Sequence, residues 1–264
     1  MDIVKSGLAS TSYHHLDDTS GREKGKNRVV NTLGNEYYSA YFTLSGKDRF
    51  NIIKMLSLDM MRFSINEVAF SLMETMGLPK KYVVELKKHT SLKYFTRENI
   101  DNILTELFPD KSKHKKNRKA ILEATAIAAY RQGPYAIKQL IVDDAPQFKL
   151  ITEALGLCWI HEGRHYKKMK AAFNKNKKIL DAFIEEFWAY YHKLLRYKEN
   201  PCDIMAEVLK KEFTRLFSKK TWYDKLDKQM LLTLNKIDAL LLVLRGVLLG
   251  ILDHLVNVRL AQTA

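Results

Sequence analysis

The sequence predicts an α/β protein: a mixed sheet flanked by helices, with a helical insertion and a helical C-terminal region. Three observations lead there. β-prone runs crowd the stretch from Ser12 to Leu44. An apolar run near the middle, Leu140-Ile141-Val142, stops abruptly at Asp143-Asp144. The stretches between and after these repeat their apolar residues at helical spacing. An apolar strand that ends in carboxylates is a common layout for an α/β site, because ligands gather at the carboxyl ends of strands.

In chain order, residues 1–11 read as a flexible arm. Ser12–Leu16 reads as a short strand ending in Asp17-Asp18-Thr19, and Ser20–Arg28, rich in Gly and Lys, as a loop. Val29–Leu33 and Glu36–Leu44 are β-rich runs joined by Gly34-Asn35, a hairpin signal. Lys47–Leu58 has helical spacing through Phe50, Ile53 and Leu56. Ser64–Met76 is a helix, with Ser64 as N-cap and Glu67 completing a capping box; Gly77 and Pro79 stop it. Lys80–His89 and Arg97–Phe108 are shorter helices, so residues 60–114 form the insertion between two parts of a core, 12–59 and 115–198. Ala120–Arg131 is an Ala-rich helix, and Ala136–Val142 is the strand that carries Asp143. Ala145–Leu155 reads as a short helical segment, Leu157–Ile160 as the next strand, and Arg164–Tyr197 as mostly helix. Asp203–Phe217 and Trp222–Leu244 complete a helical region, 199–264, with an atypical tail.

Composition narrows the partners. Of 264 residues 46% are hydrophobic, enough for a sizeable core, and the formal net charge is +14. A cationic excess gathered in runs favours a polyanion such as DNA, through phosphate neutralisation and counterion release. Two cysteines, Cys158 and Cys202, exclude a disulfide scaffold and a zinc ribbon and fit a reducing cytoplasm. The N-terminus has no apolar core of signal-peptide length, and the apolar stretch Ala239–Leu252 contains Arg245 and is too short to span a bilayer. A soluble cytoplasmic protein with no membrane partner is expected; a homo-oligomer is left open.

Two acidic strand ends, Asp17-Asp18 and Asp143-Asp144, suggest divalent-metal chemistry, in which hard oxygen ligands hold Mg²⁺ or Mn²⁺ with several waters. The bland alternatives are a turn pair for the first and, for the second, a helix start with Asp144 capping and Pro146 in the first turn. His161-Glu162-Gly163-Arg164-His165 also matches the His-Glu-x-x-His pattern of zinc hydrolases, with Glu185 or Glu186 as a distant third ligand. That motif needs a continuous helix; here it follows the strand-like Leu157–Ile160, and Gly163 weakens a helix by ~1 kcal/mol against Ala. Cys158 and Trp159 read as core residues of a buried strand. The run Lys111–Lys119, with Lys113, Lys115, Lys116 and Arg118, is either a solvated loop or a phosphate contact. Arg164, Lys167 and Lys168 are the other candidate DNA contacts, and for Arg164, His165 and Tyr166 a capping role is the plain alternative.

Several blocks together resemble a known family. They are Asp17-Asp18-Thr19, the hairpin around Leu33-Gly34-Asn35-Glu36, Val142-Asp143-Asp144-Ala145-Pro146-Gln147-Phe148, and Cys158-Trp159-Ile160-His161-Glu162-Gly163-Arg164-His165-Tyr166. They are similar, in that order, to the catalytic core of bacterial insertion-sequence transposases of the Asp-Asp-Glu type, in the insertion-sequence-sixty-six-like branch. The resemblance implies a ribonuclease-H-like fold. It also implies Asp17 (alternatively Asp18) and Asp143 (alternatively Asp144) as catalytic metal ligands, and cleavage and joining of transposon-end DNA supported by Mg²⁺ or Mn²⁺.

The departures are equally specific. The family's third acid is a Glu in a block resembling His-Asn-Asn-x-x-Glu, after a stretch that Asp238–Arg245 leads up to. Residues 246–264 contain no Glu and a single acid, Asp253, and Glu212 is the last Glu of the chain. Family segments that precede the first Asp are also missing. The expectation is therefore a truncated transposase relative, inactive because positioning by the metal cluster is most of the catalysis in phosphoryl transfer. Two alternatives stand beside it: a DNA-binding or interaction module without catalysis, and a zinc hydrolase at His161, Glu162 and His165.

Overall fold

A computed structural model of the chain describes residues 2–58, 60–90 and 93–245. Its centre is a five-stranded mixed sheet of order β3-β2-β1-β4-β5, made of β1 (Tyr13–Glu23), β2 (Lys26–Gly34), β3 (Ser39–Leu44), β4 (Gln139–Val142) and β5 (Ala154–Leu157). The first three strands run antiparallel in sequence, while β4 lies parallel to β1 and β5 parallel to β4. All four residues of β4 are buried, as suits a central parallel strand covered on both faces. This order is compatible with a ribonuclease-H-like fold.

The front of the chain differs from its sequence reading in three ways. Residues 1–11 contain a helix, α1 (Asp2–Ser10), rather than a flexible arm. Leu8 is buried, His14 Nε2 bonds the Gly7 carbonyl at 3.2 Å, and Asn35 Nδ2 donates to Ser10 Oγ at 2.9 Å. Second, β1 does not end at Asp17-Asp18. It runs on to Glu23, pairs with β2, and turns at Lys24-Gly25, both with positive φ, so Ser20–Arg28 is a hairpin and not a loop. Residues 19–23 miss the apolar alternation because that half of the ribbon stands clear of the core. Third, β2 and β3 are joined by Asn35–Tyr38, closed by Asn35 N donating to Tyr38 O, with Gly34 as the last residue of β2.

Between β3 and β4 lie α2 (Arg49–Leu56), α3 (Glu67–Thr75), α4 (Lys80–Leu86) extended by a 3-10 turn to His89, α5 (Arg97–Leu107) and α6 (Lys115–Arg131). Asn66, not Ser64, caps α3, accepting from Ala69 N. Ser64 instead ties this region together, its amide donating to Thr125 O and its hydroxyl to Lys93 O. The cationic run is a turn only up to His114; from Lys115 it is the first part of α6. The second half of α6 is buried nearly all round, which its run of alanines permits.

After β4 the expected helical segment is a single 3-10 turn, Pro146–Phe148. β5 ends at Leu157, and Trp159 opens α7 (Trp159–Lys167) instead of closing a strand. A break at 168–173 separates α7 from α8 (Asn174–Glu199). Then come α9 (Asp203–Ser218), α10 (Asp224–Leu234) and α11 (Ile237–Leu240); the single helix expected over Trp222–Leu244 is broken at Asn235-Lys236. Trp159 anchors this layer. Its ring lies 5.4–6.1 Å from those of Phe187, Tyr190, Tyr191 and Phe213, and its N–H donates to Leu240 O at 2.9 Å. Gly163 is required by the close approach of α8, since a Cβ there would meet Trp188 at 2.8 Å. One hydrophobic cluster runs from Leu8 to Val243, so the residues between 60 and 114 share the core of the sheet. Among the described residues, no helix is long and apolar enough to cross a membrane.

Candidate functional site

The pairing of β1 with β4 builds the site. His14 lies opposite Leu140 and His15 opposite Ile141. Continuing that register by two residues sets Asp17 beside Asp143 and Asp18 beside Asp144. Successive strand residues point to opposite faces, so Asp17 and Asp18 diverge.

Their environments diverge too. Asp18 is nearly buried on one face, paired with Lys47 and accepting from Gln147 Nε2 at 2.9 Å. Asp144 pairs with Lys149 and Lys236, each at 3.0 Å. Burial raises the Asp144 pKa, but the two ammonium groups overcome this and hold it below the usual carboxylate range. Asp17 and Asp143 accept local amide hydrogen bonds, from Asp18 N at 2.9 Å and Ala145 N at 3.0 Å. Among the described residues neither pairs with a lysine or an arginine.

The third group on their side is His161, in the first turn of α7. Its Nε2 is 4.0 Å from Asp17 Oδ2 and 2.9 Å from Arg164 Nη1, and its Nδ1 is buried without a partner. Burial lowers its pKa most; Asp17 and Asp143 pull it up, while Arg164 and His165 push it down. An imidazole accepting from a guanidinium is neutral. Cys158, the residue before α7, is buried, and burial pushes its thiol pKa up, so it is no nucleophile.

A buried network fixes α7 against the strand ends. Glu162 is 3% exposed. Its Oε1 accepts from Thr233 Oγ1 at 2.6 Å, and its Oε2 pairs with Lys236 at 3.1 Å. Lys236 therefore bridges Glu162 on α7 to Asp144 at the end of β4. Burial depresses the Lys236 pKa, but the two carboxylates outweigh it and hold the group above the usual lysine range. On the far side, Arg49 at the start of α2 donates to Pro146 O at 3.0 Å and Lys149 O at 2.8 Å and pairs with Glu123 at 2.6 Å. It holds the turn that follows Asp143-Asp144. Sequence reasoning missed Lys236, Arg49, Lys47 and Gln147, which lie far along the chain from the acids they serve. His161 stands in the sequence block that carries the resemblance, where its other reading is the alternative His-Glu-x-x-His pattern.

The His-Glu-x-x-His residues do lie on one continuous helix, contrary to the strand expected before them. Glu162, however, turns to Lys236 and away from the imidazoles, and Glu186 is held by Lys219. Among the described residues, no group of three or more His, Cys, Asp or Glu is placed to hold a metal ion. The two carboxylates Asp17 and Asp143 still fit a hydrated Mg²⁺, which commonly uses one or two carboxylates and keeps its waters. Asp253 lies outside the described residues.

The candidate DNA contacts fall in two places. Arg164, Lys167 and Lys168 are exposed along α7, the first of them touching His161. Lys113, Lys115 and Lys116 are exposed at the turn into α6. Arg118 is half-buried and committed, donating to the Leu104 and Phe108 carbonyls that end α5. Its place is a structural cap.

No protein-family model matches the chain, and no solved structure matches it. The chain is similar to one protein of Sinorhizobium fredii, the uncharacterized protein y4jO. The two are 26% identical over 252 residues, covering 92% of this chain and 75% of that protein.

Proposed function

We propose that the chain is a transposase-type catalytic-domain protein with a ribonuclease-H-like fold. It holds DNA and a divalent cation, and it is defective in phosphodiester cleavage, as no third carboxylate joins Asp17 and Asp143 among the described residues. One observation carries the reading: the β1–β4 register, continued two residues past His15 and Ile141, brings Asp17 beside Asp143, and among the described residues neither has the basic partners that neutralise Asp18 and Asp144.

When bound, Mg²⁺ or Mn²⁺ would supply Lewis-acid stabilisation of charge on a phosphate. Asp17 and Asp143 would hold it. Arg164, at the edge of the pair, can face a phosphate oxygen, while Lys167 and Lys168 carry the positive potential further along the backbone. Lys236 and Arg49 fix the elements that carry the acids without touching DNA. The neutral His161 neither repels a cation nor competes with it by charge. A second reading, DNA binding without catalysis, is favoured by the +14 charge, and the two differ in whether Asp17 and Asp143 take a divalent cation.

The test pairs Mn²⁺ binding, followed by electron paramagnetic resonance, with nicking of supercoiled DNA by wild type, Asp17→Asn and Asp143→Ala. The expected result is cation binding in wild type, its loss in both variants, and no nicking by any. Cation-dependent nicking that Asp143→Ala abolishes would overturn the catalytic defect. Absence of cation binding in wild type would remove the site.

A further inference from the structure

We infer that the turn between α7 and α8 binds an unpaired nucleic-acid strand, with Phe173 as the stacking platform for a base. The inference rests on the reading of this face as DNA-binding and adds the form of nucleic acid it takes.

Phe173 is 71% exposed, at the N-cap position of α8. A phenyl ring this open is unusual beside so much charge. Lys167, Lys168, Lys170, Lys175, Lys177 and Lys178 surround it in sequence, all exposed, and none is ion-paired among the described residues. Between Glu162 and Asp181 the chain has no acid at all, so the stretch that carries Phe173 is uniformly cationic. The first turn of the 26-residue α8 also lacks a side-chain cap, and its free amides add to the positive potential.

The run is continuous with the candidate site. Arg164, which donates to His161 beside Asp17, begins it, and α7 leads it away to the turn. A strand tracking these cations from the carboxylate pair would reach Phe173.

The ring decides between duplex and single strand. Phosphates satisfy lysines in either form, whereas an aromatic face gains only from a base that has left its own stack. A duplex would leave the ring solvated, and an acidic peptide would offer the lysines partners but no flat face.

The experiment uses the full chain and three probes: an oligonucleotide of about 12 nucleotides, the size of one single-strand site, the same oligonucleotide carrying 2-aminopurine, and the blunt duplex of equal length. Wild type should prefer the single strand and quench 2-aminopurine. Phe173→Ala should weaken single-strand binding roughly five- to a hundredfold, abolish the quenching and leave duplex affinity within about twofold, because its lysines are intact. Phe173→Trp should restore both. Salt-dependent binding that Phe173→Ala leaves unchanged, without quenching in wild type, would overturn the stacking site while leaving DNA binding in place. Absence of salt-dependent binding to either form would overturn the DNA reading and this inference with it.

Discussion

Asp17 and Asp143 differ from Asp18 and Asp144 by one position in the chain and by everything around them. The latter pair is neutralised: Asp18 by Lys47, Asp144 by Lys149 and Lys236. The former pair, aligned by the continued β1–β4 register, has among the described residues only local amides and the neutral His161 imidazole for company. Neighbouring carboxylates left without a cationic side chain repel each other, and a bound cation relieves that repulsion. Carboxylates already paired are parts of the framework. The contrast thus separates residues that hold the fold from residues that the fold holds ready.

The largest expected effect breaks the framework side. Lys236→Met leaves Glu162 buried with an uncompensated charge and takes one partner from Asp144, and should lower stability by about 3–5 kcal/mol in urea unfolding. An unchanged midpoint would mean that Asp144 and Glu162 need no neutralisation, and the contrast would collapse.

Next comes acid sensitivity. His14 is fully buried, and burial lowers its pKa from 6.5 to about 4. Above pH 6.5 it is neutral in both states. As pH falls below 6.5 the unfolded chain takes up the proton first, so stability should drop by about 3 kcal/mol by pH 4. The drop should persist in Asp17→Asn and Asp143→Asn and largely vanish in His14→Asn measured against its own neutral-pH stability. If the aspartate variants abolish it instead, the two carboxylates are coupled to the core and are not poised apart from it.

Third is cation-linked stability. At ten times its Kd, Mn²⁺ should stabilise wild type by about 1.4 kcal/mol, read as a rise in Tm. Asp17→Asn and Asp143→Asn should lose the rise, and Asp18→Asn should keep it. Loss in Asp18→Asn alone would exchange the roles of the neighbouring residues on β1.

The smallest effect is the most diagnostic. Without cation, Asp17→Asn and Asp143→Asn should stay within about 0.5 kcal/mol of wild type or exceed it slightly, since each removes repulsion and breaks no ion pair. A substantial loss in either would make that residue structural.

Much of the molecule was legible in sequence because its signals are local. Gln139–Val142 is buried on both faces and reads as an unbroken apolar run into Asp143. Phe50, Ile53 and Leu56 mark α2 by spacing alone. The second half of β1 was hidden because Thr19–Glu23 stands off the core and has no apolar alternation to read. The start of α7 was hidden because Leu157, Cys158, Trp159 and Ile160 form one apolar run. Only the tertiary packing of Trp159 under Leu240 and against α8 divides that run between strand and helix. Gly163 looked like a weakness in a helix and is a clearance for Trp188.

Sequence alone determined that two acidic pairs follow apolar runs in a strongly basic chain, because residue type and hydrophobic order are properties of the string. It could not choose within each pair. That choice belongs to the tertiary structure: the β1–β4 register aligns Asp17 with Asp143, strand alternation turns Asp18 away, and a lysine 92 residues beyond Asp144 in the chain reaches back to neutralise it. Ion pairing acts through distance in space, and distance in space is set only when the chain has folded.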